Sequence, residues 1–239
     1  MADTLFYSPS IRQNSQLPEK ESQHCVKVLR MREGDELTVT DGKGFFYECT
    51  LTQASPRQCM VSIQNSIQKP KGWNYNLRIA FAPTKQMERN EWFVEKAVEI
   101  GIDTITPILC RFSERKEIKN ERLEKIAVAA MKQSQQAYLS KIEELTGFKE
   151  IISCPFNGKK YIAHCYDLPK EPLSQLHKKG EDAFILIGPE GDFSREEIED
   201  AIAAGFEPVT LSESRLRTET ASLVAIHTIH VINNLQYFI

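Results

Sequence analysis

Long apolar runs are missing from the sequence. The longest, residues 223–232, contains His227 and His230 and is far shorter than the roughly 18 residues of a membrane-spanning helix. The first residues, MADTLFYSPSIRQ, also lack the basic flank and the apolar stretch of a secretory signal. We therefore expect a protein that does not enter a membrane and stays in the cytoplasm.

Cysteine pairs and metal-ligand spacings are absent as well. The six cysteines are scattered without a C-x-x-C motif, which argues against a zinc or redox site and for reduced thiols. His227 and His230 lie three residues apart on a predicted helix, but no third ligand accompanies them. A role in packing or at an interface is therefore favoured over metal binding, and we expect no bound metal.

Several common cofactor and catalytic motifs are also missing. The single G-x-G, from Gly42 to Gly44, lies in a predicted hairpin without a following helix, which does not support a Rossmann dinucleotide site. The sequence contains no Walker loop, no H-E-x-x-H and no G-x-S-x-G elbow. These absences exclude the common nucleotide-binding, metalloprotease and α/β-hydrolase signatures.

Excess positive charge is lacking too, since the formal net charge is −3. This balance argues against a protein that coats nucleic acid nonspecifically. Two local basic clusters remain: Lys27, Arg30 and Arg32 around VLRM, and six Lys or Arg within residues 111–125, interleaved with four Glu. Either cluster is suited to phosphates, although a solvated charged face explains both. Trp73 and Trp92 are expected to pack in the fold and not to stack on bases.

The first part of the chain has the pattern of a small β-rich domain. Residues 36–67 alternate short β-rich runs (ELTVTD, FFYECTLT and QCMVSIQNSI) with turn signals, which predicts a β-meander. Before it, Pro18 opens a predicted helix with Cys25, Val28 and Leu29 on one side. We therefore predict a small β-barrel with one helix over residues 1–70.

A different pattern follows the linker QKPKGWNYN at residues 68–76. Predicted strands (LRIAFA, TITPIL, KYIAHCY, AFILIG and PVTLS) alternate with predicted helices over residues 86–100, 119–137, 194–205 and 218–237. Alternation of this kind predicts an α/β domain with a mainly parallel sheet, here residues 73–239. Ser194 and Glu197 form a capping box at one helix start. The last helix is apolar around most of its circumference, which predicts burial on more than one side and a subunit interface.

Two loops at predicted strand ends carry the polar residues of a candidate site, where an open α/β sheet binds ligands. After AFILIG, residues 188–192 (GPEGD) combine two glycines, which allow close backbone approach, with Pro189 before a helix start. A plain strand-to-helix turn explains this loop equally well. After PVTLS, Arg215, Arg217 and Glu219 stand beside a predicted buried helix, where charges need partners or a function.

Four strings together resemble the RsmE family: HCVKVLRMREGDELTVTDGKG at 24–44, WFVEKAVEIGIDTITPILCRFSER at 92–115, LIGPEGDFS at 186–194 and LSESRLRTETAS at 211–222. Members of this family are bacterial methyltransferases of the SPOUT superfamily that act on N3 of one uridine in 16S ribosomal RNA. The resemblance runs over nearly the whole chain and in the same order. It implies an N-terminal PUA-like RNA-binding β-barrel followed by a C-terminal SPOUT α/β domain with a deep trefoil knot, which is an exception among folds.

The resemblance also implies ligands and partners. S-adenosylmethionine is the implied cofactor, 16S rRNA or the small ribosomal subunit the implied partner, and a homodimer the implied assembly. The residues implied in cofactor binding are Leu186, Ile187, Gly188, Pro189, Glu190, Gly191, Leu211, Ser212 and Leu216. For RNA binding, the basic residues that we expect to take part are Lys27, Arg30, Arg32, Arg111, Arg115 and Arg215.

The chain departs from the family pattern in two places. Where the family usually has E-Q-S/C-G-R after the second methyltransferase helix, residues 132–136 read KQSQQ and lack the arginine. Many members also have Pro-Arg shortly before L-R-T-E-T, whereas residues 213–215 here read ESR.

The implied chemistry assigns roles to two residues. Methyl transfer from a sulfonium is an in-line displacement that depends on alignment. N3 of uridine must also lose its proton, which leaves negative charge on O2 and O4. Arg217, backed by Arg215, is suited to hold that charge, and Glu219 to accept the proton or orient the base. Glu219 is equally explained as a favourable carboxylate in a first helical turn.

Two other functions compete with this interpretation. A SPOUT methyltransferase with another RNA target, such as tRNA, would carry the same loops. A non-catalytic RNA-binding or ribosome-assembly factor would need only the barrel and the basic clusters, and the R-T-E-T loop argues against it.

Overall fold

Two units with different strand arrangements make up the chain in a computed structural model, which describes residues 4–234. The first unit runs to Gly72 and also includes Val128–Leu139, and the second holds Trp73–Ala127 and the residues after Leu139. The sequence analysis had assigned residues 128–139 to the C-terminal domain.

The first unit is built on a four-stranded sheet in the order β1-β2-β3-β4. Its strands are β1 Leu5–Tyr7, β2 Glu36–Thr40, β3 Phe45–Gln53 and β4 Met60–Gln68, and its helices are α1 Ile11–Asn14 and α2 Glu19–Gln23. The predicted meander is confirmed, since β2, β3 and β4 pair antiparallel in succession. Strand β1 pairs parallel with β2, an arrangement that the sequence did not predict because β1 has only three residues and its partner lies far along the chain.

The predicted helix after Pro18 is correct at its start and wrong in its packing. Pro18 is the N-cap of α2, but the chain continues as a π-helical turn over His24–Val28, with Leu29 N donating to His24 O at 3.0 Å. The wider turn changes the direction of the side chains that follow. Cys25 is buried, whereas Val28 is 64% and Leu29 38% exposed, so they do not share one packed side.

Residues 128–139 contact the turn between β2 and β3. Gly44 N donates to Ala137 O, and Leu139 N donates to Gly42 O, both at 2.9 Å. Gly44 has a φ of +102°, and a Cβ there would lie 2.4 Å from the hydroxyl of Tyr138. Glycine is therefore required both by the backbone conformation and by the close approach.

The second unit contains an eight-stranded sheet in the order β10-β12-β9-β11-β5-β6-β7, with β8 also paired to β6. Its strands are β5 Leu77–Phe81, β6 Thr104–Leu109, β7 Lys141–Ile142, β8 Thr146–Gly147, β9 Lys159–Ala163, β10 Glu171–Pro172, β11 Ala183–Ile187 and β12 Glu207–Thr210. Its helices are α3 Met87–Ile100, α4 Asn120–Gln133 (whose end lies in the first unit), α5 Phe148–Ser153, α6 Leu173–Leu176, α7 Arg195–Ala203 and α8 Thr218–Asn234. All pairs are parallel, which confirms the predicted α/β class.

Local signals set the helix boundaries as expected. The capping box at Ser194 and Glu197 is present, with each side chain bonded to the other residue's backbone N–H. Helix α3 ends at Gly101, whose φ is +116°. The part of the last predicted helix beyond residue 234 lies outside the described residues, and so does Leu235.

Helix α8 is buried on one side within the second unit. Its buried residues include Ala225, Ile226 and Ile229, while Leu223, Val224, Val231 and Ile232 are only partly buried. His230 is satisfied by hydrogen bonds to the Tyr75 hydroxyl (2.6 Å) and Gly101 O (2.7 Å), and His227 is exposed. Within residues 4–234, no helix combines the length and the apolar character that a bilayer crossing requires.

Candidate functional site

A cavity of about 690 Å³ lies at the carboxyl ends of three neighbouring strands, β12, β9 and β11. Its walls are residues 163–165 and Lys170 after β9, residues 187–192 after β11, and residues 209–218 with Ala221 after β12. Parallel strands bring these loops to one edge of the sheet, which is where open α/β sheets bind ligands. The volume falls within the usual range of roughly 300–1,000 Å³ for small-molecule sites.

The first loop is held in one conformation by Asp192. This residue has a φ of +65°, and its N–H donates to Pro189 O at 2.9 Å. Its carboxylate accepts hydrogen bonds from Cys165 N at 2.7 Å and Phe193 N at 2.8 Å. Asp192 therefore fixes the loop after β11 against the end of β9.

The two glycines of this loop make room for protein side chains. A Cβ on Gly188 would lie 3.0 Å from the Phe193 ring, and one on Gly191 would lie 3.1 Å from Phe112 Cβ. The sequence predicted that the two glycines let the backbone come close to another group. In the structure Phe193 and Phe112 are such groups.

The second loop, residues 211–217, has no regular secondary structure. Across residues 4–234, the backbone N–H groups of Arg215, Leu216 and Arg217 donate to no protein group. Thr218 Oγ1 donates to Gly188 O at 3.0 Å in a buried position and so joins the two loops. These three residues line the cavity, so the loop carries backbone donors there that no protein group occupies.

The residues that were expected to bind the cofactor come together here, with one exception. Those lining the cavity are Ile187, Gly188, Pro189, Glu190, Gly191, Leu211, Ser212 and Leu216. Leu186 does not line it: its side chain is fully buried in the core of the second unit. Side chains alternate between the two faces of a strand, and Leu186 lies one residue before the strand end.

Three lining residues after β9 were missed by the sequence analysis, namely His164, Cys165 and Lys170. His164 and Cys165 stand within the predicted strand KYIAHCY, and Lys170 follows it. The sequence does not show the strand order that puts β9 beside β11 and β12. His164 is buried, and neither ring nitrogen has a hydrogen-bond partner among residues 4–234. Burial, followed by the Lys170 ammonium, lowers the pKa of His164, so the imidazole is neutral near pH 7.

Arg217 and Glu219 both line a smaller recess of about 300 Å³ beside the cavity, but only Arg217 also lines the cavity. Glu219 lies in the first turn of α8 with a side chain that is 9% exposed, and Arg89 Nε is 3.7 Å from its Oε1.

The basic residues that were expected to bind RNA are divided between the two units. Lys27, Arg30 and Arg32 are exposed in the first unit, and Arg215 lines the cavity. Two others have protein partners: Arg111 pairs with Glu196 at 2.5 Å, and Arg115 donates to the carbonyl oxygens of residues 84 and 85. The contacts of Arg115 hold the backbone of a neighbouring loop.

No metal centre is visible in the part of the chain that the structure describes, since no three or more His, Cys, Asp and Glu residues group there. All six cysteines are free thiols. Burial raises the pKa of Cys25 to about 12 and that of Cys49 to about 11, so these two remain protonated and unreactive.

Comparisons with known proteins cover both units. A family model described as an RNA methyltransferase domain matches residues 71–230, and a model described as an RNA methyltransferase PUA domain matches residues 17–64.

Full-length relatives share the fold. A crystal structure of a probable rRNA-methyltransferase from Porphyromonas gingivalis is 44% identical, with 98% of this chain and 99% of that chain covered and a TM-score of 0.92. Ribosomal RNA small subunit methyltransferase E from Neisseria gonorrhoeae, solved with S-adenosyl methionine, is 27% identical over 96% and 98% of the two chains, with a TM-score of 0.83. The protein of the same name from Aquifex aeolicus is 28% identical over 93% of this chain and 97% of its own.

Proposed function

We propose, from the premise that this chain belongs to the RNA methyltransferase family, that it transfers a methyl group from S-adenosylmethionine to N3 of one uridine in 16S ribosomal RNA. Family membership confirms the resemblance that the sequence motifs indicated, together with a methyltransferase fold that carries an N-terminal PUA domain. The observation that carries the proposal is the cavity at the ends of β12, β9 and β11. Relatives that align over nearly the whole chain are named ribosomal RNA small subunit methyltransferase E.

The cavity fits S-adenosylmethionine in its chemistry. The free N–H groups of residues 215–217 and the unpaired ring nitrogens of His164 supply hydrogen bonds to a polar, flat ligand. Partly buried apolar groups such as Leu211 and Leu216 supply contact area for an adenine ring. When bound, the sulfonium supplies the methyl group and keeps the electron pair of the broken S–C bond.

The chain's own residues then act on the acceptor. Glu219 accepts the N3 proton, and the freed lone pair of N3 forms the new bond to the methyl carbon. Arg217 lines both the cavity and the recess, so its guanidinium stabilises the negative charge that spreads to O2 and O4. The loops keep water away from the aligned groups.

Exposed cations in both units hold the RNA. Lys27, Arg30 and Arg32 lie free on the surface of the first unit and are suited to phosphate contacts. Arg215 supplements them at the mouth of the cavity. Arg111 and Arg115 contribute less to RNA binding than these residues, because each already has a protein partner. A ribosomal substrate locates the reaction in the cytoplasm.

We also propose that the protein forms a homodimer and that its second unit contains a trefoil knot. The partly buried apolar residues of α8, Leu223, Val224, Val231 and Ile232, supply a surface for a second copy. The trefoil knot is supported by the family to which the chain belongs.

Two measurements test the function. Calorimetry with S-adenosylmethionine in the presence of a chelator should show binding, and binding that needs an added divalent ion would contradict the cofactor assignment. Modified uridines are then mapped in ribosomal RNA from cells with and without the protein. Loss of one N3-methyluridine from 16S rRNA is expected, whereas a lost modification in tRNA, or none at all, would favour the competing functions.

A further inference from the structure

We propose that the recess beside Arg217 receives the acceptor base, with Trp92 as the stacking platform and Arg89 as an orienting cation. The proposal rests on the proposed function and goes beyond it, because it assigns residues of α3 that neither candidate loop contains. The residues lining the recess are Glu88, Arg89, Trp92, Arg217, Glu219 and Thr220.

The recess has the size and the position of a site for one nucleobase. Its volume of about 300 Å³ is less than half that of the neighbouring cavity of about 690 Å³, and it matches the lower limit of small-molecule sites, at roughly 300 Å³. Because Arg217 lines both spaces, a base in the recess is adjacent to a methyl donor in the cavity. An in-line displacement requires this adjacency.

Trp92 offers an aromatic surface to that base. Its side chain is 45% exposed, contrary to the expectation that it packs in the fold. Trp73, in contrast, donates to Asp103 at 3.0 Å and packs edge-on against His230. Unstacked RNA bases commonly stack on aromatic side chains, and a tryptophan provides a large face for such contact.

Glu219 offers a hydrogen-bond acceptor in the wall of the recess. Its side chain is 9% exposed, and its Oε2 has no hydrogen-bond partner within residues 4–234. An unpaired carboxylate oxygen at this depth is costly unless a ligand donates to it. Arg89 Nε is 3.7 Å from Oε1, beyond hydrogen-bond length, so its guanidinium keeps donors for the ligand.

These groups match an imide. A carboxylate oxygen accepts from an N–H, and the guanidinium groups of Arg89 and Arg217 donate to carbonyl oxygens. Uracil presents N3–H between two carbonyl oxygens, whereas cytosine and adenine carry no hydrogen on the corresponding ring nitrogen. The recess therefore selects uracil over these two bases by its hydrogen-bond pattern.

The test compares Trp92→Ala, Trp92→Phe and the control Ile202→Ala, which removes a side chain of matched exposure (46%) on α7. Single-turnover methylation is measured over a range of concentrations of small ribosomal subunits. The affinity for the cofactor is measured by calorimetry. We expect Trp92→Ala to lower the ratio of the maximal single-turnover rate to the apparent dissociation constant of the RNA substrate by roughly 5- to 150-fold, which is the effect of losing one base-stacking contact. Trp92→Phe should recover most of the loss, and Ile202→Ala should match the wild type. Cofactor affinity should be unchanged in all three.

Each outcome separates the recess from the function on which it rests. Wild-type behaviour of Trp92→Ala overturns the base site and leaves the proposed function intact. Equal losses in Trp92→Ala and Trp92→Phe together with weakened cofactor binding assign a structural role to Trp92 and also overturn it. A wild-type protein that binds no cofactor, or that methylates no ribosomal RNA, overturns the proposed function and the recess with it.

Discussion

Arg217 lines the cavity and the recess at once, and in the proposed mechanism its guanidinium stabilises the charge that develops on the acceptor. We expect Arg217→Ala to lower the single-turnover rate at saturating RNA about a hundredfold, which corresponds to ~3 kcal/mol for one contact to a transition state. If the variant reaches the wild-type rate once RNA saturates, Arg217 contributes to binding and not to catalysis.

The matched comparison is the double variant Lys27→Ala, Arg30→Ala in the first unit. Because these exposed cations are expected to contact phosphates, their loss should weaken RNA binding and reduce its salt dependence by roughly one counterion per contact. The rate at saturating RNA should stay at the wild-type value. A lower saturated rate in this variant would place its side chains in the chemical step.

Glu219→Gln tests proton removal. The amide keeps the shape of the carboxylate but cannot take the N3 proton, and a positioned general base commonly contributes about 10²- to 10⁴-fold. We expect a rate reduced to that extent, with the remaining rate rising with pH as hydroxide removes the proton. A pH–rate profile of unchanged shape would show that Glu219 serves only as a favourable carboxylate at the start of α8.

His177 makes the stability of the second unit depend on pH. Burial lowers the pKa of His177, with the Glu181 charge opposing and the Lys159 charge adding to this effect. The unfolded chain takes up a proton below about pH 6.5, whereas the folded imidazole stays neutral until a lower pH. The unfolded state thus binds more protons in this window, and stability is lost as the pH falls through it.

We therefore expect the free energy of unfolding to decrease between pH 7.5 and 5.5, and His177→Gln to reduce that decrease. Denaturant titrations at both pH values measure it. His227→Gln is the control, since His227 is exposed, and its profile should match the wild type. A pH dependence that is the same in His177→Gln would contradict this assignment.

At the scale of secondary structure, Gly101 ends α3 under a tryptophan ring. Its φ is +116°, and a Cβ there would lie 2.6 Å from the Trp73 ring. Gly180 in the same unit also has a positive φ, +86°, but no atom lies within 4 Å of a Cβ built there. A comparison of substitutions at Gly101 and Gly180 therefore distinguishes the cost of backbone strain from the cost of a steric clash.

Gly180→Ala should cost about 1–2 kcal/mol, the usual penalty for a left-handed residue with a side chain. Gly101→Ala should cost clearly more, because Trp73 must move as well. Denaturant unfolding measures both losses, and Trp73 fluorescence should change only in Gly101→Ala. Equal losses would mean that the ring moves aside freely.

The sequence predicted elements that depend on neighbours along the chain. The meander, the end of α3 at Gly101 and the capping box at Ser194 all rest on local turn and cap signals. It did not predict the pairing of β1 with β2, the position of residues 128–139 or the exposure of Trp92. Each of these depends on residues that are distant in sequence, and the recess itself exists only because α3 and α8 lie side by side.

In the candidate site, the two loops were found from their residues because a strand end followed by glycines or by clustered charges is a local pattern. His164 and Lys170 were not found, since a histidine within a predicted strand looks like a core residue until the true end of the strand and the strand order are known. Leu186 does not line the cavity, since its side chain is buried in the core of the second unit, and cofactor binding through its backbone stays a prediction.

For the whole molecule, the partly buried stripe on α8 leads to a prediction about assembly. Val224 and Val231 are seven residues apart and therefore lie on one face of the helix. We expect light scattering at micromolar concentration to give about twice 27.3 kDa for the wild type. The variant Val224→Asp, Val231→Asp should give a monomer, because two charges in an apolar interface are not tolerated.

Ile202→Asp is the control, as it adds a charge at an exposed apolar position on a different helix, and it should remain dimeric. A wild-type monomer that is active would refute the homodimer. A dimeric double aspartate variant would move the interface away from this face of α8.

The inclusion of residues 128–139 in the first unit has a consequence for synthesis of the chain. Residues up to Gly72 leave the ribosome first, but the backbone partners of Gly42 and Gly44 are residues 139 and 137. Another 55 residues, 73–127, must be added before that segment begins, which takes roughly 3 to 11 s at 5–20 residues per second. During this interval the turn between β2 and β3 lacks its partners, so a nascent chain stalled near residue 100 should be cleaved by protease at this turn and protected there once residue 139 has emerged. For the same reason we expect the first 72 residues, when moved alone to another protein, to lack the backbone partners of this turn.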